Sequence, residues 1–158
     1  MDGNKKRQML TAVLVLLGAG AGVLLLLRAT AVPDGPQPIA WDREACAHCR
    51  MHIGDPHFAA QLQATDGRVL SFDDPGCLIR FRAEQPIEVR AVYFHHFGAD
   101  RWLTEGEVGF VPVASTPMGY GFGATDRSEA RAETYQQVAS KVLAAGTRVP
   151  GPAGGGSR

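Results

Sequence analysis

The longest apolar stretch of the chain lies close to its N-terminus. Lys5, Lys6 and Arg7 precede residues 10–27, a run of eighteen without a charged side chain. A run of this length can cross a bilayer, and the basic residues before it predict a cytoplasmic N-terminus. We therefore expect a basic cytoplasmic segment at 1–8 and a transmembrane anchor or uncleaved signal at 9–28. The small residues at 29–31 would also fit signal-peptide cleavage, so both outcomes stay open.

Segments rich in proline and glycine bound the region that follows. Residues 29–41 contain three prolines and predict an extended linker, whereas residues 146–158 are rich in Gly and Pro and predict a disordered tail. The remaining segment, 42–145, is long enough for one small domain. With an anchor before it, this domain would lie in the periplasm or another extracytoplasmic space.

In the first half of this domain, alternating apolar positions and turn residues predict the order strand, strand, helix, strand. Residues 58–64 and 68–72 form a hairpin around Asp66-Gly67. Asp74 and Pro75 supply an N-cap and a first helical residue for a helix to about residue 83. Residues 87–94 alternate as a buried strand does.

The second half predicts three more strands, at 101–104, 109–113 and 119–124, and a second helix. Asp126 and Glu129 form a pair typical of a capping box, and apolar residues then recur at helical spacing. The fold class is therefore α+β, with two small strand-rich units each backed by one helix and an N-terminal transmembrane helix before them.

The charge balance argues against one class of function. The chain after Arg28 carries 12 Lys and Arg against 15 Asp and Glu, and it has no basic block. Nucleic-acid binding is therefore not expected.

A group of sulfur-bearing residues is the main candidate for chemistry. Cys46, Cys49 and Met51 lie within six residues. Thiolates bind zinc, Cu(I) and iron–sulfur clusters, whereas a neutral thioether is a soft ligand that favours Cu(I). If a strand begins near Cys49, then Cys49, Met51 and Ile53 share one face, with His48 and His52 on the other face or at the rim.

Other interpretations of the two cysteines stay open. In an oxidising compartment they can form a disulfide or a redox-active pair, and Cys77 could bridge to either. A thioredoxin-like enzyme would need the pair at the start of a helix, but Gly54-Asp55-Pro56 breaks the chain soon afterwards. Cys77, in the first turn of the predicted helix, is interpreted as a small buried hydrophobe rather than a ligand.

Four passages of the chain, read in order, form a pattern together. They are Cys46-x-x-Cys49-x-Met51-x-Ile53, then Asp66-Gly67 with Phe72-Asp73-Asp74-Pro75-Gly76-Cys77-Leu78, then Val89 to Phe94 leading to Trp102, and finally Ser115 to Ala124 with Pro117-Met118-Gly119. This pattern resembles the NosL family of copper chaperones, which serve the maturation of nitrous oxide reductase. The family commonly has Gly where this chain has Arg50, and Asp where it has His95-His96.

The resemblance implies an extracytoplasmic protein that binds Cu(I) and passes it to an acceptor in the maturation machinery of nitrous oxide reductase, without catalytic turnover. It implies Cys46, Cys49 and Met51 as metal ligands and Met118 as a further thioether. Cys77, His48 and His52 remain possible additions. The competing hypothesis is a membrane-anchored thiol–disulfide oxidoreductase that uses Cys46 and Cys49. One of His95 and His96 should face inward as a structural residue, and Asp73 and Asp74 are interpreted as helix-capping residues.

Overall fold

A computed structural model describes residues 2–29 and 34–145 of the chain. Helix α1 spans Asp2–Ala29 and includes the predicted segment 9–28. Among the described residues, however, no helix is both long and apolar enough to cross a membrane. The helix is therefore confirmed, its role as an anchor is not, and the compartment of the domain stays a prediction. The predicted tail 146–158 lies outside the described residues, as do linker residues 30–33.

The first half of the domain follows the predicted order. Strands β1 (Ala60–Ala64) and β2 (Val69–Phe72) form the hairpin, and Gly67 provides the positive φ of 90° that its turn needs. Helix α2 spans Pro75–Glu84, and the side chain of Asp74 caps it by accepting a 2.8 Å hydrogen bond from the Gly76 amide. Strand β3 spans Val89–His95. All four elements are confirmed within one or two residues.

The strands form two antiparallel sheets. The larger has the order β2-β1-β3-β4, where β4 spans Trp102–Thr104. The smaller pairs β5 (Val108–Pro112) with β6 (Phe122–Asp126). These three strands are confirmed too, although β6 begins later than predicted because the residues before it form a loop.

The last helix begins later than its predicted cap. Helix α3 spans Tyr135–Ala144, and its capping box consists of Thr134 and Gln137 rather than Asp126 and Glu129. Asp126 instead ends β6, where it pairs with Val108. The predicted cap is wrong because strand pairing uses the residue that the local pattern assigned to the helix.

The two sheets and helices α2 and α3 share one core. Helix α2 contacts β1 and β2 of the large sheet, β6 of the small sheet, and α3. Phe94 of the large sheet packs edge-on against Phe110 of the small one, with ring centroids 5.1 Å apart. The α+β class is confirmed, but the two expected units form a single core instead of two separately backed ones.

The domain begins earlier than expected. The compact unit starts at Asp34, so part of the predicted linker 29–41 belongs to it. The amide of Gln37 donates a 2.6 Å hydrogen bond to the side chain of Gln61 on β1, and Ile39 is buried in the core. Gln61 and Gln63 are themselves buried on the central strand, and their amide groups need the partners that this segment supplies.

Candidate metal site

The Cys46–Cys49 segment is a tight turn that closes a short backbone pairing. The Cys46 amide donates a 2.8 Å hydrogen bond to the Met51 carbonyl, and the Arg50 amide donates one of 3.1 Å to the Cys46 carbonyl. Arg50 adopts a left-handed backbone with φ of 67°, which reverses the chain. The turn therefore presents both cysteines from one compact piece of backbone.

The strand expected from Cys49 onward is absent from this part of the described chain. Only an isolated bridge joins Ala45 and His52. Ile53 is fully buried, whereas Met51 is 59% exposed. The common face was expected only if a strand began near Cys49, and the left-handed residue at position 50 interrupts the extended chain between Cys49 and Met51.

Cys77 completes a group of three thiols. It is the third residue of α2, and its sulfur lies within 4.8 Å of those of Cys46 and Cys49, which also lie within that distance of each other. All three are free cysteines, with Cys46 and Cys77 buried and Cys49 half-buried. Cys77 is buried, as interpreted from the sequence, but its sulfur also belongs to the candidate site, to which the sequence analysis gave it only as a possible addition.

The electrostatics of the three thiols differ sharply. The pKa of Cys46 is lowered to about 5, first by a hydrogen bond from the Cys77 thiol and then, against the effect of burial, by backbone N–H groups of Asp73, Cys49 and His48. The pKa of Cys77 is raised because its proton is shared with the Cys46 sulfur and because the thiol is buried. Burial also raises the pKa of Cys49. At neutral pH the group therefore contains a stabilised thiolate at Cys46.

The spacing of the sulfurs suits a metal ion. A metal–sulfur bond of about 2.3 Å to each of three ligands places the sulfurs about 4 Å apart. Separations of up to 4.8 Å need only a small contraction to reach that value. The donors are cysteine sulfurs, which bind metals as soft thiolates and select Cu(I), zinc or iron–sulfur clusters over hard cations.

The predicted methionine ligands lie on two different segments. Met51 follows the turn, and its amide N–H faces the Cys49 sulfur while its side chain is exposed. Met118 is half-buried in the β5–β6 loop, and its amide donates a 3.1 Å hydrogen bond to the Asp74 carboxylate at the start of α2. The structure thus places both near the elements that carry the cysteines, and their role as ligands stays a prediction.

The β5–β6 loop is fixed to the same end of α2. The Asp74 carboxylate accepts hydrogen bonds from Thr116 as well as from Met118. The Tyr120 ring lies against Gly76 so closely that no Cβ would fit there. Burial beside the thiols raises the pKa of Tyr120 to about 12. The loop and the first turn of α2 therefore form one wall around Cys77.

The histidines fall into distinct environments. His48 Nε2 lies 3.1 Å from a carboxylate oxygen of Glu84, and His52 is exposed. His95 is buried and packs edge-on against Trp102, which confirms that one of the two adjacent histidines faces inward. Asp73 does not cap the helix, since its carboxylate accepts a hydrogen bond from the Gly54 amide instead.

Comparisons with known proteins give one similar structure. No family model matches the chain, and no curated protein does. The copper chaperone NosL from Shewanella denitrificans, a solved structure, is 19% identical with a TM-score of 0.49, and the match covers 71% of this chain and 88% of that one.

Proposed function

We propose that this protein is an extracytoplasmic Cu(I)-binding metallochaperone, resembling NosL, that delivers copper for the maturation of nitrous oxide reductase. The observation that carries the proposal is the group of three free thiols whose sulfurs lie within 4.8 Å of one another. The sequence resemblance at Cys46 to Ile53 and at Phe72 to Leu78 supports it, because these two passages contribute all three cysteines.

The donor set favours Cu(I) over a structural zinc ion. Structural zinc sites are closed by four ligands, whereas the compact group among the described residues has three, all of them sulfur. Cu(I) is satisfied by few soft ligands, and Met51 and Met118 would add thioethers that are neutral at every pH. A site of three thiols and neighbouring methionines therefore suits a soft monovalent ion.

The burial gradient across the site fits a protein that releases its ion. Cys46 and Cys77 are fully buried, Cys49 is half-buried and Met51 is exposed. A partner can approach from the side of Cys49 and Met51 and replace one ligand at a time, while the buried thiolates keep the ion away from water. Such exchange needs no catalytic turnover, and we propose that the protein is not an enzyme.

The proposed location follows from the N-terminus. Basic residues at positions 5–7 precede the uncharged segment 10–27, and this order supports export of the domain across the cytoplasmic membrane with an N-terminal tether. Protease accessibility in intact spheroplasts tests it. Digestion of the domain from outside is the expected result, and protection until the membrane is broken would contradict it.

A thiol–disulfide oxidoreductase is the weaker candidate. Its nucleophilic cysteine must be accessible, whereas Cys46, the thiol with the lowered pKa, has no exposed surface. Insulin-reduction assays of the full-length protein separate the two functions. We expect no activity above that of the Cys46→Ser variant, and turnover that depends on Cys46 would favour the enzyme.

Metal competition tests the proposed cargo directly. The reduced full-length protein is titrated anaerobically with Cu(I) against a chromogenic chelator, and separately with Zn(II). We expect one equivalent of Cu(I) to bind and Zn(II) to fail to displace it. Zinc binding that excludes Cu(I) would show that the site is a structural metal centre.

A further inference from the structure

Tyr120 lies on the loop between β5 and β6, beside the helix turn that carries Cys77. Its side chain is half-buried and packs against the core. A Cβ added at Gly76, the residue before Cys77, would overlap the Tyr120 ring. The pKa of Tyr120 is raised by burial and then by charge on Cys77 and Cys49, so the phenol is within electrostatic reach of these two sulfurs. The ring therefore forms a side wall of the three-thiol group.

The loop is fixed on both sides of Tyr120. On one side, the Met118 amide donates its 3.1 Å hydrogen bond to the Asp74 carboxylate at the start of α2. On the other side, the Gly121 amide donates a 3.2 Å hydrogen bond to Oγ1 of Thr116, which is itself buried. Because both flanks are held, the ring can move without the whole loop leaving α2.

The residues next to Tyr120 in the chain allow its backbone to turn. Gly119 has a φ of 72° and Gly121 a φ of 77°, in the left-handed region that glycine adopts at little cost. A Cβ position at Gly119 has open space around it. Loops that close over binding sites commonly turn about a few such residues. These two glycines therefore suit hinges for a side chain that packs against Gly76 or moves away from it.

We propose that the Tyr120 ring is a gate over the three thiols, which shields them when it packs against Gly76 and lets a bound ion leave when it moves away. The part of this inference that concerns the ion rests on the proposed function. Exchange that starts at the half-buried Cys49 must end at Cys46 and Cys77, which have no exposed surface. A neighbouring group must therefore move before the ion can be released.

Alkylation of the metal-free protein tests the gate without any ion. The reduced full-length protein is treated with iodoacetamide, and peptide mapping by mass spectrometry gives the rate at each cysteine. We expect Tyr120→Ala to raise the rate at the buried Cys46 and Cys77 about tenfold or more, because closure depends on the ring. Tyr120→Phe keeps the ring and should keep the slow rate.

Leu103→Ala is the control for a general loss of stability. Leu103 is buried on β4, at the opposite edge of the large sheet from β2, to which the cysteine turn is fixed. Its loss should promote global unfolding without touching the gate. Alkylation of Cys46 and Cys77 that is no faster in Tyr120→Ala than in Leu103→Ala would overturn the proposal.

Gly76→Ala tests the same contact from the side of the helix. The added Cβ displaces the Tyr120 ring, whereas alanine favours the helix more than glycine does. We expect alkylation as fast as in Tyr120→Ala. The double variant should be no faster than either single one, since both changes remove one contact. Slow alkylation of Gly76→Ala, or effects that multiply in the double variant, would contradict the gate.

Release kinetics connect the gate to the ion and separate it from the proposed function. Protein loaded with one equivalent of Cu(I) is mixed with an excess of a chromogenic chelator. We expect Tyr120→Ala and Gly76→Ala to release Cu(I) about tenfold faster than the wild type, with a much smaller change in Kd, because an open gate speeds entry and exit together. If the wild type fails to bind Cu(I), the proposed function falls and alkylation still decides the gate. If it binds and all three proteins release at one rate, the gate falls.

Discussion

Arg50 directly follows Cys49 at the end of the turn, and its backbone conformation is unfavourable for a residue that has a Cβ. Its φ of 67° is in the left-handed region, which costs a residue with a Cβ about 1–2 kcal/mol and costs glycine almost nothing. The side chain is exposed, so little packing compensates for the cost.

Arg50→Gly should therefore stabilise the domain. We expect the free energy of unfolding to rise by about 0.5–1 kcal/mol, because relief of backbone strain outweighs the added freedom of the unfolded chain. Denaturant titration of the metal-free protein measures it. Arg43→Gly is the matched control, since Arg43 is exposed without a positive φ and should lose stability. Equal destabilisation by both substitutions would contradict the account.

The residues of the site were predictable only in part. Cys46 and Cys49 are evident from their spacing, but Cys77 is 28 positions further along the chain than Cys49. Its sulfur joins the others because the turn is fixed to the large sheet, through a 2.9 Å hydrogen bond from the Ala47 amide to the Ser71 carbonyl of β2. No local pattern reports such a long-range contact.

At the scale of elements, the first turn of α2 connects the helix to the β5–β6 loop. The Asp74 carboxylate is fully buried and accepts hydrogen bonds from Gly76, Thr116 and Met118. Burial raises the pKa of this carboxyl group, and the three donors oppose that effect. One side chain therefore caps the helix that carries Cys77 and also holds the loop that carries Met118.

Asp74→Ala should destabilise the domain by more than the loss of a helix cap alone would. We expect the free energy of unfolding to fall by about 2–4 kcal/mol, since a cap contributes about 1 kcal/mol and buried donors lose their acceptor. Thermal and denaturant unfolding measure it. Thr134→Ala, which removes the cap of α3 alone, is the control and should cost about 1 kcal/mol. A loss for Asp74→Ala no greater than for this control would contradict the double role.

Element prediction succeeded where the pattern was strong and failed where two structures compete for one residue. The Asp-Gly turn and the Asp-Pro helix start were correct because each encodes a local backbone requirement. The start of α3 was wrong because Asp126 fits a helix cap by sequence but is used in strand pairing with Val108. Pairing partners distant in sequence decide such cases.

For the whole molecule, the pKa values of the thiols predict a pH dependence of copper binding. The pKa of Cys46 is about 5, so this thiol is already ionised at neutral pH, whereas the pKa values of Cys49 and Cys77 are raised. Binding as three thiolates must therefore release protons from Cys49 and Cys77. Protons compete with the metal, so affinity should fall as pH falls.

Competition titrations at pH 6, 7 and 8 measure this linkage. We expect the Cu(I) association constant to rise by about two decades per pH unit in wild type and by about one in Cys77→Ser, because that variant has one proton fewer to release. An indicator dye that counts the protons released when Cu(I) binds gives an independent value for this linkage. An affinity that does not change with pH would show that Cys49 and Cys77, whose pKa values are raised, stay protonated and do not bind the ion.

The overall class and element order could be predicted from the sequence, but the packing of the halves could not. Strand and helix periods identify faces that will be buried without identifying their partners. Phe94 contacts Phe110, which lies on a different sheet. Ile39 contacts the core although its segment has the composition of a linker. The shared core therefore became apparent only in the structure.

The central claim is that Cys46, Cys49 and Cys77 together bind Cu(I). Anaerobic competition of the reduced full-length protein with a chromogenic Cu(I) chelator tests it most directly, with Cys77→Ser compared with Met51→Leu. We predict that wild type binds one equivalent, that Cys77→Ser loses about 100-fold or more in affinity, equivalent to about 2.7 kcal/mol, and that Met51→Leu loses less. Wild-type binding no tighter than that of Cys77→Ser would contradict the account.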